Sequence, residues 1–197
     1  MTYSDTIAVL KAKRQEIEAL RVQMRELQAT IEPEVVADYD FTGWDGPTTL
    51  SQLFGDKRDL FVIHNMGTRC NYCTMWADGF NGVYDHLANR AAFVVASPDE
   101  TAVQRQFAGS RGWRFPMVTP ASSDFTKDMG FWSPKAADHP LGDMTWPGVS
   151  VFQKRGEAIV RVSDAELGEY DDFCSVWHFL DLLPERSAGW EPQARYN

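Results

Sequence analysis

The chain has 197 residues with a formal net charge of −9, and 44% of its residues are hydrophobic. This length and composition suffice for one domain with a sizeable core and some additions. The acidic charge is spread along the chain and no basic stripe could neutralise a phosphate backbone, so we expect no nucleic-acid partner. The first residues contain no apolar stretch of signal-peptide length, and no later run is long enough to span a bilayer. We therefore expect a cytoplasmic protein with no membrane partner.

The first 33 residues are predicted to form an added amphipathic helix. Between Ser4 and Ile31 apolar residues recur at heptad spacing, with Leu10, Ile17, Met24 and Ile31 in one row and Leu20 and Leu27 in the next. Charged and amide side chains fill the other positions, as in an amphipathic helix. Lys13 interrupts the second row, and Pro33 ends the helix. The apolar stripe is expected to pack either on the chain's own body or on a second subunit, which would give a homodimer.

Residues 34–183 show short apolar runs that alternate with amphipathic segments. The runs predict strands at Tyr39–Thr42, Leu60–Asn65, Ala92–Ser97, Phe115–Val118, Val149–Phe152 and Ala158–Val162. The amphipathic segments predict helices at Thr49–Phe54, Thr74–Asn89, Asp99–Gly109 and Asp172–Leu183. This order indicates an α/β fold with parallel βαβ units and a terminal hairpin. Residues 184–197 lack periodicity and are expected to form a C-terminal tail.

Two cysteines, Cys70 and Cys73, directly follow the second predicted strand and open the next helix. The first turn of a helix has unpaired N–H groups and a partial positive charge, which favour a thiolate. A thiol there can have a pKa of about 3.5 to 7.5 instead of about 8.5, which makes it a nucleophile at neutral pH. With three cysteines and no secretory signal, a catalytic or metal-binding pair is favoured over a disulfide framework. We assign Cys70 as the attacking thiol and Cys73 as the thiol that resolves the mixed disulfide.

This strand, cysteine pair and helix, followed later by TWPGVSVFQKRGEAIV, resemble the thioredoxin fold. In that fold a cis proline precedes a strand and hairpin and faces the cysteines, and Pro147 matches this proline. The segments DYDFTGWDGPTTLSQLFGDKRDLFVIHNM, CTMWADGFNG and RGWRFPMVT also resemble a bacterial family of thioredoxin-like proteins of unknown function, related to the alkyl hydroperoxide reductase and thiol-specific antioxidant group. The resemblance covers residues 35–183 and implies a thioredoxin-like mixed sheet flanked by helices. It also implies a protein or small-molecule disulfide as substrate, a cellular dithiol as reductant and no organic cofactor.

The same resemblance indicates substrate-binding residues around the cysteines. Trp146 precedes the matched proline, so its ring is expected to face the cysteines and to touch the bound chain. A ring of this size would narrow the groove and favour a restricted set of partners or a small disulfide. Arg69 stands where thioredoxin has tryptophan, and Asn71 and Tyr72 replace its Gly-Pro pair. Arg69 and Tyr72 are therefore expected to border the substrate.

A histidine is the candidate proton acceptor of this pair. His64 lies six positions before Cys70, where thioredoxin carries a buried aspartate. A neutral imidazole would take the proton from Cys73 during resolution, and an ordinary histidine pKa near 6.5 suits that task. The alternative is a strand histidine that makes a satisfied hydrogen bond and has no chemical role.

A peroxiredoxin-like thiol antioxidant is the alternative enzyme. A typical peroxiredoxin carries a threonine three residues and a proline seven residues before its peroxidatic cysteine. For Cys70 these positions hold Gly67 and Ile63, and for Cys73 they hold Cys70 and Met66. The peroxidase pattern is missing, so dithiol–disulfide exchange is favoured.

Non-enzymatic hypotheses also stay open at this point. There is one CxxC pair with scattered single histidines, so a four-ligand zinc site is not predicted, although a metal carrier could use both cysteines and one histidine. A dimeric scaffold or redox sensor without turnover is a further alternative. Cys174 lies among apolar residues of the last predicted helix, where a buried core thiol is expected, with a third redox thiol as the alternative. The long loop of residues 131–144 is expected to be functional or mobile and could cover the site.

Overall fold

The structure is a computed structural model that describes residues 2–120, 123–134 and 144–196. The chain separates into two compact units, residues 1–33 and residues 34–197. The predicted covering loop falls largely on residues 135–143, which lie outside the described residues. No helix in the described ranges is long and apolar enough to cross a membrane.

The first unit consists of helix α1, Tyr3–Gln28. Thr2 begins it with a capping box, because the Thr2 hydroxyl accepts the N–H of Asp5 and the Asp5 carboxylate accepts the N–H of Thr2. At the other end the Thr30 N–H and hydroxyl both donate to the carbonyl of Leu27, which closes a turn before the predicted end at Ile31. No residue of α1 is buried.

The second unit is an α/β domain. Its strands are β1 Glu34–Val36, β2 Asp40–Gly43, β3 Gly46–Thr49, β4 Asp59–His64, β5 Ala92–Ala96, β6 Met117–Thr119, β7 Trp132–Ser133, β8 Met144–Thr145, β9 Gly148–Arg155 and β10 Ala158–Glu166. Its helices are α2 Leu50–Leu53, α3 Asn71–Arg90, α4 Thr101–Arg111, α5 Phe125–Asp128 and α6 Ser175–Leu180. Five short elements have four residues or fewer and carry no pattern that predicts them: β1, β3, α5, β7 and β8.

Eight strands form one mixed sheet in the order β1, β10, β9, β4, β5, β6, β2, β3, and β7 pairs with β8 in a separate ribbon. The three central strands β4, β5 and β6 run parallel, whereas β9 is antiparallel to β4 and forms a hairpin with β10. The parallel βαβ units and the terminal hairpin expected from the sequence are confirmed. Because parallel strands end at the same sheet edge, the loops that follow β4 and β5 lie side by side.

Two hydrophobic cores cover the two faces of this sheet, and successive side chains of β4 alternate between them. Ile63 packs in the core that also contains Cys73, Trp76 and Phe80 of the α3 region. Val62 packs in the opposite core. The face to which a β4 side chain points therefore decides whether it can approach the cysteines on α3.

The last helix is shorter than predicted. The Asp171 carboxylate accepts the N–H groups of Phe173 and Cys174, which holds the preceding residues in a turn. This side chain competes with the helical hydrogen bonds, so α6 begins only at Ser175.

Candidate active site

The cysteine pair lies where β4 passes into α3. Cys70 is the N-cap of α3, and its Sγ accepts the N–H of Cys73 at 3.0 Å. The two cysteines form a disulfide with a Cα–Cα separation of 5.2 Å. Cys70 is half-buried, whereas Cys73 is 2% exposed. The more accessible sulfur, that of Cys70, is the one assigned as attacker. The N–H of Met66 donates a hydrogen bond to the buried Cys73 Sγ at 3.5 Å.

The loop before the pair is held by one of its own side chains, Asn65, and by Asp99 from the loop that follows β5. The Asn65 side-chain carbonyl accepts the N–H of Gly67 at 2.8 Å, and the Asp99 carboxylate accepts the N–H of Thr68 at 2.7 Å. Gly67 has a φ of +93°, a conformation that favours glycine. Sequence reasoning missed Asp99, although the parallel βαβ pattern placed the loop after β5 beside the loop that carries the cysteines.

Pro147 borders the same small cleft as Cys73, together with Asn65 and Leu167. Its carbonyl accepts the N–H of Leu167 at 3.0 Å, which fixes this segment against the end of β10. The expectation of a cis bond before Pro147 is wrong, because the peptide bonds between described residues are all trans. The Trp146 N–H donates to the Phe131 carbonyl at 2.7 Å. Backbone hydrogen bonds therefore hold the chain both before and after this trans bond.

The predicted substrate-binding side chains differ in their exposure and in the contacts that they make with other residues. Trp146 is 45% exposed, and Arg69 is exposed and makes no ion pair or hydrogen bond with any described residue. Tyr72 instead stacks on Trp177 with ring centroids 6.0 Å apart, and its hydroxyl donates to Glu169 at 3.2 Å. Burial and this carboxylate both raise the pKa of Tyr72. The Tyr72 ring is therefore committed to packing between α3 and α6.

The structure does not bring the imidazole of His64 to Cys73. His64 is 3% exposed, and its ring stacks between Phe125 and Phe131 at centroid distances of 5.3 and 4.1 Å. Its Nε2 lies 2.9 Å from the Ser150 hydroxyl. These contacts lie on the sheet face opposite the core that contains Cys73, although both residues border the cleft at the end of β4.

The electrostatics of His64 also disfavour proton transfer near neutral pH. Burial, and to a smaller extent the positive charge of Arg161, lowers the pKa of His64 to about 3. Its Nδ1 is buried without a hydrogen-bond partner among the described residues. The arrangement fits the alternative, a strand histidine held by a hydrogen bond, better than it fits the role of proton acceptor, which stays an untested prediction.

Cys174 lies in the same core as Cys73, is buried and carries a free thiol. Burial raises the pKa of this thiol, which disfavours a nucleophilic thiolate. Among the described residues no group of three or more histidine, cysteine or acidic side chains is arranged to hold a metal ion.

This geometry can perform one type of chemistry with its own atoms. A half-buried sulfur at a helix N-terminus can attack a disulfide, and a second sulfur lies within bonding distance to displace it. The sheet order, the parallel strands and the CxxC at the start of α3 define a thioredoxin-like protein.

Comparison with solved structures supports this fold. The structure of a cysteine-to-serine mutant of PrxQ from Xylella fastidiosa matches with a TM-score of 0.58 and 13% identity, over 81% of this chain and 96% of that chain. The Mycobacterium tuberculosis peroxidoxin BcpB matches with a TM-score of 0.54 and 21% identity, over 66% and 84% of the two chains. A peroxiredoxin-like protein from Aquifex aeolicus matches with a TM-score of 0.53 and 13% identity, over 68% and 75%. At these identities the likeness shows the thioredoxin-like fold.

Residues 4–193 match the family described as bacterial proteins of unknown function, DUF899, and the chain belongs to this family. The family expected from the sequence segments is thereby confirmed. No functionally curated protein matches the chain.

Proposed function

We propose that this protein is a thiol–disulfide oxidoreductase that uses Cys70 and Cys73 as its redox couple. The observation that carries the proposal is the position of the pair, with Cys70 capping α3 and Cys73 buried one turn into the helix within disulfide-bonding distance. The free N–H groups and the dipole of a 20-residue helix favour a thiolate at Cys70.

The reaction has two exchange steps. The Cys70 thiolate attacks one sulfur of a substrate disulfide, a Cys70–substrate disulfide forms, and the other substrate sulfur leaves as a thiolate that takes a proton from solvent. The Cys73 thiol then loses its proton and attacks the Cys70 sulfur, the intramolecular disulfide forms, and the second substrate sulfur leaves as a thiol that has taken up a proton. Two electrons pass from the protein dithiol to the substrate, and the reverse sequence would oxidise a dithiol. A cellular dithiol or reductase in the cytoplasm would restore the reduced pair.

The exposed surroundings of Cys70 support a protein or small-molecule disulfide as substrate, and the Trp146 ring favours a small one. In this proposal Pro147 shapes the binding edge, since it borders the same cleft as Cys73. The exposed Trp146 ring offers apolar contact, and the exposed Arg69 guanidinium offers a positive charge. Tyr72 contributes by fixing the start of α3 against Trp177.

Trapping experiments test the proposal. A Cys73→Ser variant should accumulate a mixed disulfide between Cys70 and one half of the substrate disulfide, because the resolving thiol is missing. A Cys70→Ser variant should form no mixed disulfide and lose disulfide reduction, while Ser at the N-cap keeps the helix capped. Cys174→Ala is the matched control and should keep the activity. A Cys70→Ser variant with undiminished disulfide reduction would refute the proposal.

The same variants separate the alternatives. A peroxiredoxin-like antioxidant would consume hydrogen peroxide at a rate that depends on Cys70 and exceeds its rate with disulfides. A non-catalytic scaffold, redox sensor or metal carrier would show no turnover with either substrate. A metal carrier would in addition bind copper or zinc in a way that Cys70→Ser abolishes.

A further inference from the structure

The loop before the cysteines is hydrogen-bonded to the carboxylate of Asp99, which lies in the loop after β5. Asp99 Oδ2 accepts the N–H of Thr68 at 2.7 Å, a short hydrogen bond strengthened by the charge of its acceptor. The same oxygen lies close to Gly67, since a Cβ built there would stand 2.9 Å from it. Asp99 therefore touches two consecutive residues of the segment just before Arg69 and Cys70.

Asp99 is itself held in place by hydrogen bonds with Ser97 and Gln104. The Ser97 hydroxyl lies 3.3 Å from both Oδ2 and the N–H of Asp99. The side-chain amide of Gln104, which is fully buried, donates to the carbonyls of Ser97 at 3.0 Å and Asp99 at 2.9 Å. This bracing makes the position of the Asp99 carboxylate a property of the rigid sheet edge, not of a free side chain.

Asp99 brings a negative charge to the segment just before the N-terminus of α3. The first turn of α3 contains no acidic residue of its own, so the sequence of the helix favours a thiolate. Asp99 comes from another part of the chain, and its carboxylate accepts the N–H of Thr68, which lies two residues before Cys70. Two other charges stand nearby: Arg69 is exposed, and Glu169 accepts the Tyr72 hydroxyl.

We propose that Asp99 is a positioning residue of the cysteine pair, which holds the loop of residues 66–69 and makes the pair more reducing than the helix terminus alone would make it. This inference rests on the proposed redox function. Reduction adds two electrons and one proton to the disulfide and yields a thiolate and a thiol. A fixed negative charge repels that thiolate and leaves the neutral disulfide unaffected, so it disfavours the reduced state.

The test is the equilibrium of the pair with glutathione mixtures at pH 7, followed by counting of free thiols. Asp99→Asn keeps an oxygen that can accept the Thr68 N–H and removes the charge. It should shift the equilibrium constant three- to tenfold toward the dithiol, roughly 14 to 30 mV for a two-electron couple. The matched control is Asp85→Asn, because Asp85 pairs with Arg114 and lies on α3, fifteen residues after Cys70. At about 1.5 Å per residue that is beyond a Debye length, so the control should leave the constant unchanged.

Salt dependence distinguishes a charge effect from a purely structural one. The difference between Asp99→Asn and the unmutated protein should shrink between about 0.01 and 1 M salt, where screening lengths fall from about 30 to 3 Å. An unchanged constant in Asp99→Asn, or a shift that salt does not alter, would overturn this inference alone. Absence of any Cys70–Cys73 disulfide in the unmutated protein would instead refute the proposed function. The thermal midpoint of Asp99→Asn, expected to stay near that of the unmutated protein, verifies that the variant is folded.

Discussion

Gly67 and Asp99 meet at the base of the cysteine loop so closely that a Cβ on Gly67 would lie 2.9 Å from the carboxylate oxygen Oδ2. Gly67 also has a φ of +93°, which residues with a Cβ rarely adopt. Two independent restrictions thus require glycine at this position. The loop before Cys70 is consequently fixed by packing as well as by hydrogen bonds.

Gly67→Ala should therefore destabilise the protein. The clash with Asp99 and the unfavourable φ together are expected to lower the free energy of unfolding by about 1 to 3 kcal/mol. Gly79→Ala is the control, because Gly79 lies in the interior of α3 with no heavy atom within 4 Å of a built Cβ. That change should raise the free energy of unfolding by up to about 1 kcal/mol. Urea denaturation of both variants measures the two effects, and equal effects of the same sign would contradict this account.

The sequence was sufficient to predict the site's framework. The β-branched and aromatic run before Cys70 predicted β4, and the spacing of apolar residues after Cys73 predicted α3. Their junction then placed the cysteines at a helix N-terminus, as the structure has them. These features depend on local patterns of residues near one another in the chain.

Contacts between distant segments were not predictable in the same way. Asp99 lies 31 residues after Thr68, and only the parallel pairing of β4 with β5 brings them together. For His64, alternation along β4 shows that it faces away from Ile63, but not which of the two faces α3 covers. The analogy with the buried aspartate of thioredoxin could not supply this information, and the His64 ring packs on the face opposite Cys73.

Arg69 provides a prediction about substrate charge. Its guanidinium is exposed next to Cys70 without a carboxylate partner among the described residues, so it should favour disulfides that carry carboxylates. Arg69→Gln should lower the rate with dithiodipropionate two- to fivefold relative to the neutral hydroxyethyl disulfide, which matches about 0.4 to 1 kcal/mol for an exposed ion pair.

The cationic disulfide cystamine should gain in rate from the same change. Arg58→Gln is the matched control, because Arg58 is also exposed but precedes β4 at the other end of that strand. Equal rate changes for all three disulfides would show that Arg69 does not select substrate charge.

His64 should make stability depend on pH. Its pKa falls from 6.5 to about 3 in the folded protein, so below pH 6.5 the unfolded chain binds more protons than the folded one. The free energy of unfolding should therefore fall as pH drops from 6.5 toward 3, by at most about 1.4 kcal/mol per pH unit from this group. His64→Gln should flatten this slope, whereas the exposed His178→Gln should leave it unchanged. His64→Gln should also keep disulfide exchange at pH 7, whereas a large loss of exchange in a folded variant would support the proton-acceptor role of His64.

Helix α1 should join two copies of the chain through its heptad stripe. Leu20 and Leu27 are 57% and 69% exposed, and an isolated helix with an uncovered apolar row is marginally stable in water. The heptad spacing makes the stripe complementary to itself, which favours a second copy as its cover. Leu20→Glu with Leu27→Glu should halve the mass measured by light scattering, while Val22→Glu, also exposed but outside the two rows, should not. An unmutated protein that is monomeric at micromolar concentration would contradict this prediction.

The reduction potential of the Cys70–Cys73 couple tests the central claim most directly. The protein would be equilibrated with reduced and oxidised glutathione at a series of potentials, and its free thiols counted after alkylation. Two thiols should be lost together at one defined potential, with the buried Cys174 thiol retained throughout. If no intramolecular disulfide forms at any potential, the pair is not a redox couple and the proposed function is wrong.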